Sequence, residues 1–206
     1  MNSLEELLFS SYSDLENKMV QCKTLHRKYN LTPEHRDFFV QQSVLSIYAA
    51  WEGFLRNSLE FYLQQLTRLQ LDYAELSDTY LTYQTDKICN FSQSKSQYKS
   101  VKKLSVQLHQ MYLNKVNFES KINLQSNASW KNTNSVLEKL NLKSIEQEYK
   151  IKLDKLLTFR NSIAHGENGI PVNQDNLDEF TILVQDLAVQ VINAIIEGFN
   201  TQVYRK

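Results

Sequence analysis

The strongest constraint on the fold is a helical pattern that runs from about residue 33 to residue 70. Apolar side chains recur there every three or four residues, which places them on one face of an α-helix. Thr32 and Pro33 offer an N-cap and a proline at the first helical position. Gly53 costs ~1 kcal/mol inside a helix, and we expect it to permit close approach of another backbone. The predicted buried side consists of Phe38, Val44, Leu45, Tyr48, Trp51, Phe54, Leu55, Leu59, Tyr62, Leu66 and Leu69.

Composition supports an all-α protein. The 206 residues include only 4 Gly and 2 Pro, whereas a β-rich chain of this length needs many more turn residues. Hydrophobic residues make up 42% of the chain, which is enough for a substantial core. The length suits one domain, so we predict a single helical domain over residues 1–206.

A helix before the long one completes the first predicted hairpin. Ser3 and Glu6 have the spacing of a capping box at its start. An apolar stripe follows at helical spacing, and we expect this helix to pack antiparallel to the long helix. The stripe consists of Leu8, Tyr12, Leu15, Met19 and Cys22.

Two further helices predict a second hairpin near the carboxy terminus. Capping-box spacing at Ser144 and Gln147 predicts a helix that ends near His165-Gly166, because glycine readily adopts the left-handed cap conformation. The last helix is predicted at about 174–203. Ser135 also precedes a short helix, since Glu138 follows it at capping-box spacing.

The two hairpins predict a bundle of four to five helices with an insertion at about 71–131 between them. This insertion is rich in Tyr, Ser, Gln, Asn and Lys. One helix is indicated by Val101, Leu104, Leu108 and Tyr112, and residues 114–131 are predicted to be an extended or loop segment. We interpret the region as an elaboration on the bundle rather than a second domain.

The charge balance and the positions of the cysteines and histidines limit the functions that the sequence supports. Lys+Arg and Asp+Glu both number 23, so RNA contact must come from a local patch or cleft. Cys22 and Cys89 lack the spacing of a metal site. His26, His35 and His109 are expected to be surface or capping residues rather than metal ligands. We therefore expect no metal and no cofactor.

The amino terminus shows no basic, apolar leader. It reads Met1-Asn2-Ser3-Leu4-Glu5-Glu6, and the sequence pattern indicates no membrane span. We expect a cytoplasmic protein without membrane attachment.

One segment is rich in chemically useful side chains: Arg160-Asn161-Ser162-Ile163-Ala164-His165-Gly166. Asn161 and His165 are four residues apart, so the amide could orient the imidazole. Arg160 lies about 140° from His165 around an ideal helix, so the two meet one ligand only if the helix frays or two chains combine. A guanidinium can grip phosphate and an imidazole can move a proton. The alternative is that both cations only stabilise the helix carboxyl end.

The string R-N-x-x-x-H-G, on Arg160, Asn161 and His165, resembles the motif of the HEPN family. The stretch Tyr48-Ala49-Ala50-Trp51-Glu52-Gly53-Phe54-Leu55-Arg56 resembles the second helix of the RiboL-PSP-type and MAE-type HEPN nucleases of bacterial conflict systems. The resemblance covers most of the chain in layout and about 17 residues in motif.

The resemblance implies a metal-independent endoribonuclease of a toxin or defence system, with Arg160 on the phosphate and His165 in proton transfer. It also implies a homodimer that joins two motifs, an RNA substrate, and an antitoxin or defence-system partner protein. One position departs from the family pattern. HEPN toxins that a nucleotidyltransferase silences carry tyrosine two residues after the histidine, whereas this chain has Glu167. Silencing by tyrosine modification is therefore not expected. The alternatives are a catalytically silent bundle that binds nucleotide or RNA or scaffolds a protein, and a purely structural domain.

Glu52 is the remaining candidate. It follows Trp51 within an apolar helix face and could approach the Arg160 motif across the bundle. Two interpretations stay open: a helper that positions Arg160 or His165, or a structural salt bridge or solvated residue.

Overall fold

The structure is a computed structural model that describes residues 3–89, 98–118, 121–122, 124, 127–166 and 171–206. The described residues form seven α-helices and one 3-10 turn, with no strand among them, which confirms the all-α prediction. The elements are α1 (Leu4–Lys28), α2 (Pro33–Arg68), the 3-10 turn Tyr73–Glu75, α3 (Asp78–Cys89), α4 (Tyr98–Tyr112), α5 (Trp130–Lys139), α6 (Tyr149–Ala164) and α7 (Gln174–Asn200).

Helices α1 and α2 form the first hairpin. The predicted capping box of α1 is present, with Ser3 N donating to Glu6 Oε2 at 2.9 Å and Glu6 N donating to Ser3 Oγ at 3.2 Å. Thr32 caps α2 by accepting from the backbone N–H of His35 at 3.4 Å. Only four residues separate the helices, so the chain reverses direction and α2 packs along α1.

Helix α2 is the centre of the core, because it packs against α1, α6 and α7. Its fully buried side chains include Val44, Ile47, Trp51, Leu55, Leu59, Tyr62, Leu63 and Leu66. The predicted stripe is wrong at both ends, where Phe38 is 56% exposed and Leu69 is 39% exposed. These two residues lie near the ends of a 36-residue helix, where fewer neighbouring helices cover them.

Helices α6 and α7 form the second hairpin. Lys155 pairs with Glu179, and the rings of Phe159 and Phe180 meet edge to face at 5.3 Å. By length and apolar composition α7 is the one described helix that could cross a membrane. Its apolar side packs against α1, α2 and α6.

The starts of α5 and α6 differ from the sequence prediction. Helix α5 begins at Trp130 with Ser129 as its cap, so Ser135 lies inside the helix. Helix α6 begins at Tyr149 rather than Ser144. The reason is a side-chain clamp: the Asn134 amide donates to Ile145 O at 3.1 Å and accepts from Ile145 N at 2.7 Å. Both backbone groups of Ile145 are thereby satisfied without helix.

The insertion contains a helix that the sequence did not predict. Helix α3 is polar, and its buried side rests on Tyr80 and Gln84. The Tyr80 hydroxyl lies 2.6 Å from the Tyr62 hydroxyl and donates to Leu140 O at 2.6 Å. Helix α4 and the absence of helix over the described residues between 115 and 129 agree with the prediction, whereas Trp130 and Lys131 of the predicted extended or loop segment belong to α5.

The surface prediction for His26 is wrong, because its side chain is only 5% exposed, in the last turn of α1. Burial lowers the pKa of His26, and the charges of Arg27 and Arg36 act in the same direction. His35 and His109 are exposed, as predicted.

We expect Tyr80→Phe to lower the free energy of unfolding by about 1–3 kcal/mol, because it leaves two buried oxygens without their partner. Tyr112→Phe is the matched control, since Tyr112 is 52% exposed and should change stability little. Urea unfolding of both variants measures this. Equal stability of the two variants would show that the Tyr80 hydroxyl does not anchor α3.

Candidate functional site

The Arg160 motif lies at the carboxyl end of α6. The helix continues through Arg160 and Asn161 to Ala164, and His165 is the C-cap with φ −90° and ψ 0°. The chain then leaves the helix through Gly166, whose φ of +71° favours glycine. His165 N donates to Asn161 O at 2.9 Å and Gly166 N donates to Ile163 O at 3.1 Å. The predicted glycine cap is confirmed.

Arg160 is held by an aromatic face and by its neighbour. Its guanidinium carbon lies 5.1 Å from the centre of the Tyr48 ring, within the range of a cation–π contact. Its Nη1 donates to Asn161 Oδ1 at 2.9 Å. The Asn161 side chain therefore orients Arg160 in this structure, and not the His165 imidazole as expected from their spacing.

Tyr48 is itself fixed by the segment that precedes α5. The Tyr48 hydroxyl accepts from Ala128 N at 2.8 Å, and Trp51 Nε1 donates to Ala128 O at 3.0 Å. Burial raises the pKa of Tyr48 to about 12; Glu52 adds to this shift, while Ala128 N–H and Arg160 oppose it. Tyr48 is therefore a neutral phenol at physiological pH, and it supports Arg160 as a rigid apolar platform.

A cavity of about 420 Å³ opens beside this platform, between α2 and α6. Arg160, Glu52 and Arg56 supply its charges. Glu52 accepts from Arg56 Nη2 at 2.9 Å, so its partner is one turn along the same helix. Glu52 was interpreted either as a helper of the motif or as a structural salt bridge, and the structure contains the salt bridge. Glu52 and Arg56 both line the cavity that Arg160 lines. Two guanidinium groups and one carboxylate leave the cavity with an excess positive charge.

His165 is not part of this cavity in one chain. Its side chain is exposed, and no described residue makes a hydrogen bond or ion pair with it. His165 therefore does not line the cavity that Arg160 lines. Glu167, where the sequence departs from the tyrosine of some HEPN toxins, lies outside the described residues.

Gly53 contradicts the expectation of a close backbone approach. A Cβ at this position would meet no atom within 4 Å, and the residue lines the cavity. Close packing therefore does not explain this glycine, which costs helix stability at its position. Because Gly53 has no side chain, it leaves space in the cavity.

Tyr48, Arg56 and Ala128 are site residues that the sequence interpretation did not single out. A signal for the first two was available, because Tyr48, Glu52 and Arg56 follow each other at four-residue spacing and so share one helix face. Nothing in the sequence indicates Ala128, since it acts only through its backbone.

Among the described residues no group of three His, Cys, Asp or Glu could hold a metal ion.

The family model described as MAE_28990-like HEPN matches residues 6–204. The chain belongs to this HEPN family. HEPN domains are often ribonucleases. No curated protein and no solved structure shows a significant match to this chain.

We expect Gly53→Ala to raise the free energy of unfolding by up to about 1 kcal/mol, because alanine favours helix and the added methyl group meets open space. Gly198→Ala in α7 is the matched control and should destabilise the fold, because its Cβ would collide with the Leu142 side chain. Thermal unfolding compares the two. A Gly53→Ala protein less stable than the parent would show that the glycine is needed for packing.

Proposed function

We propose that this HEPN protein is a metal-independent endoribonuclease. The observation that carries the proposal is the guanidinium of Arg160, held over Tyr48 at a cavity with excess positive charge, on the same helix end as His165. A preorganised cation at a cleft is what a phosphodiester needs as negative charge develops during its cleavage.

The chemistry requires no protein nucleophile. The 2′-oxygen of the RNA attacks the adjacent phosphorus, the bond to the 5′-oxygen breaks, and the products carry a 2′,3′-cyclic phosphate and a 5′-hydroxyl. One proton leaves the 2′-hydroxyl and one joins the 5′-oxygen. His165 serves one of these transfers, and Arg160 holds the phosphate with Arg56 as the neighbouring cation.

A homodimer accounts for the separation of Arg160 and His165. One chain presents its Arg160 in the cavity and leaves His165 exposed beyond the helix end. A two-fold axis near this end would place the His165 of a second chain against the phosphate held by the first, and two-fold dimers are the commonest soluble oligomers. We further propose, from the family resemblance, a cytoplasmic toxin or defence effector with an antitoxin or defence-system partner protein.

A binding module without catalysis is the second candidate. The exposed position of His165, outside the cavity of Arg160, is the observation that favours it. Both candidates use Arg160 to hold phosphate, so only a cleavage measurement separates them.

We expect His165→Ala to lower single-turnover RNA cleavage by about 10²- to 10⁴-fold while RNA affinity changes little, because a neutral imidazole adds little to the binding of a polyanion. Arg160→Ala should lower both cleavage and affinity. His109→Ala is the matched control, since His109 is an exposed histidine on α4. Circular dichroism confirms folding of each variant, and cleavage should persist in EDTA.

Two outcomes contradict this proposal. If the parent and His165→Ala bind RNA equally and neither cleaves any RNA tried, the protein is a binding module. If EDTA abolishes cleavage and magnesium restores it, the mechanism depends on a metal ion.

Mixing two inactive variants tests the dimer. If each catalytic centre combines Arg160 of one chain with His165 of the other, Arg160→Ala and His165→Ala chains unfolded and refolded together should regain part of the parent activity. A mixture of Arg160→Ala with an Arg160→Ala, His165→Ala double variant is the control and should stay inactive. Light scattering that finds only active monomer at micromolar concentration contradicts the dimer.

A further inference from the structure

One side of α7 is not covered by the rest of the bundle. The seven exposed residues of this helix recur at spacings of three, four or seven, so they form one strip along it. The strip runs between α1 and α6: burial raises the pKa of Tyr12 in α1 and of Tyr149 in α6, and the charge of Asp186 raises both further. This α7 strip consists of Asp175, Ile182, Asp186, Val189, Asn193, Glu197 and Asn200.

The α7 strip combines apolar and acidic side chains. Ile182 is 55% exposed and Val189 is 43% exposed, and both lie on the same helix face. Asp175, Asp186 and Glu197 have no cation within ion-pair distance in the part of the chain that the structure describes. Glu197 lies in the last turn of α7, where the helix dipole disfavours a carboxylate, so helix stability does not explain it. An amphipathic helix with cations beside its apolar residues fits such a strip.

Helix α4 has the opposite character. It packs mainly against α3 and the 3-10 turn, which leaves Val106 50% exposed and Leu113, directly after the helix, 72% exposed. The helix contains three lysines and no carboxylate. Lys102 and Lys103 are exposed, and neither has a carboxylate within ion-pair distance among the described residues. Lys99 lies in the first turn, where the helix dipole disfavours a cation.

The exposed residues of the two helices match in an antiparallel register. On each helix, four exposed residues of one face are separated by four, three and four positions. In this register Val106 meets Val189, and Leu113 meets Ile182. The α4 residues, in chain order, are Lys102, Val106, His109 and Leu113, and the α7 residues, in reverse chain order, are Asn193, Val189, Asp186 and Ile182.

A parallel register fits the charges less well. It would set the lysines of α4 beside Asp178 and Glu179, which already form ion pairs with Lys23 and Lys155. The antiparallel register instead sets these lysines beside Glu197. It also sets the positive amino end of α4 beside the negative carboxyl end of α7.

We propose that α4 of one chain docks in antiparallel register on the α7 strip of a second copy of the chain. Both faces are exposed in one chain and carry charges of opposite sign, so two copies together cover and neutralise them. The contact joins two different surfaces, so it is made twice across a two-fold axis or repeated along a row of chains. It uses no residue that lines the Arg160 cavity and does not rest on the proposed ribonuclease.

Sedimentation velocity of the full chain tests the association. One helix pair is smaller than a standard interface of ~1,600 Å², so we expect a dissociation constant in the micromolar range and measure up to about 200 µM protein. The mean mass should rise above that of the unit present at low concentration, whether that unit is a monomer or the dimer of the Arg160 motif. Higher salt should weaken the association, because it screens the exposed charges.

Charge reversal on either helix should weaken the association by about 10-fold or more, because like charges then meet. The α4 variant is Lys102→Glu with Lys103→Glu, and the α7 variant is Asp186→Lys with Glu197→Lys. An equal mixture of the two variants should associate again, because the acidic α4 of one chain then meets the basic α7 strip of the other.

The matched control is Lys18→Glu with Lys28→Glu. Both lysines are exposed on α1 and belong to neither α4 nor the α7 strip, so this variant should associate like the parent. Circular dichroism confirms the fold of every variant. If a charge-reversal variant does not fold, Leu113→Ser replaces it, because this side chain is 72% exposed and its loss should weaken the association by about 10-fold without unfolding the protein.

Three results would overturn the proposal. The first is a parent mass that does not change with concentration. The second is a mixture of the two charge-reversal variants that stays dissociated, since α4 and the α7 strip then do not meet. The third is a control variant that associates as weakly as the charge-reversal variants, which would show a nonspecific charge effect.

RNA binding by the same variants separates this contact from two others. If the α4 variant binds RNA more weakly and the parent does not self-associate, the lysines of α4 serve RNA and the proposal is wrong. If Arg160→Ala abolishes the association, the interface lies at the Arg160 motif and the proposal is also wrong. Self-association is measured without RNA or cleavage, so the contact can be present even if the ribonuclease proposal fails.

Discussion

Burial of one face of α2 is the constraint on which the rest of the structure depends. The helix packs against α1, α6 and α7, so its apolar residues organise three neighbours at once. Trp51, Leu55, Leu59 and Leu63 are fully buried, and burial of each such side chain contributes roughly 1.5–3 kcal/mol before opposing terms. A polar substitution among these residues would therefore disturb both hairpins together.

The same helix also lines the Arg160 cavity, through Leu45, Tyr48, Ala49, Glu52, Gly53 and Arg56. Tyr48 connects this cavity to the insertion, since its ring is buried against Arg160 while its hydroxyl accepts a hydrogen bond from the Ala128 backbone. The position of Arg160 is thus coupled to the insertion through a single tyrosine. A change near Ala128 can alter the site without touching the motif.

Polar contacts fix α3 and α5 on the bundle, beside buried apolar residues of the insertion such as Leu71, Leu76, Val116 and Phe118. Tyr80 joins α3 to Tyr62 of α2 and to Leu140, and Asn134 of α5 holds both backbone groups of Ile145. Each contact satisfies groups that would otherwise be buried without partners, which makes its loss costly. The position of α5 and the start of α6 follow from these few contacts.

The sequence by itself determined the all-α class, the two hairpins, the start of α1, the bounds of α2, and the glycine cap after His165. These features follow from local patterns, since helical periodicity and capping depend on residues within one or two turns. The Arg160 motif was also identified from the sequence. Tertiary structure alone decided the burial of His26, the start of α6, the helix α3 and the Arg160–Tyr48 contact. Each of these depends on a partner distant in the chain: Arg160 meets Tyr48 across more than a hundred residues, and the hydroxyl of Tyr80 meets Leu140 across 60. A periodic pattern shows which face of a helix is apolar, but only packing decides which polar groups meet there.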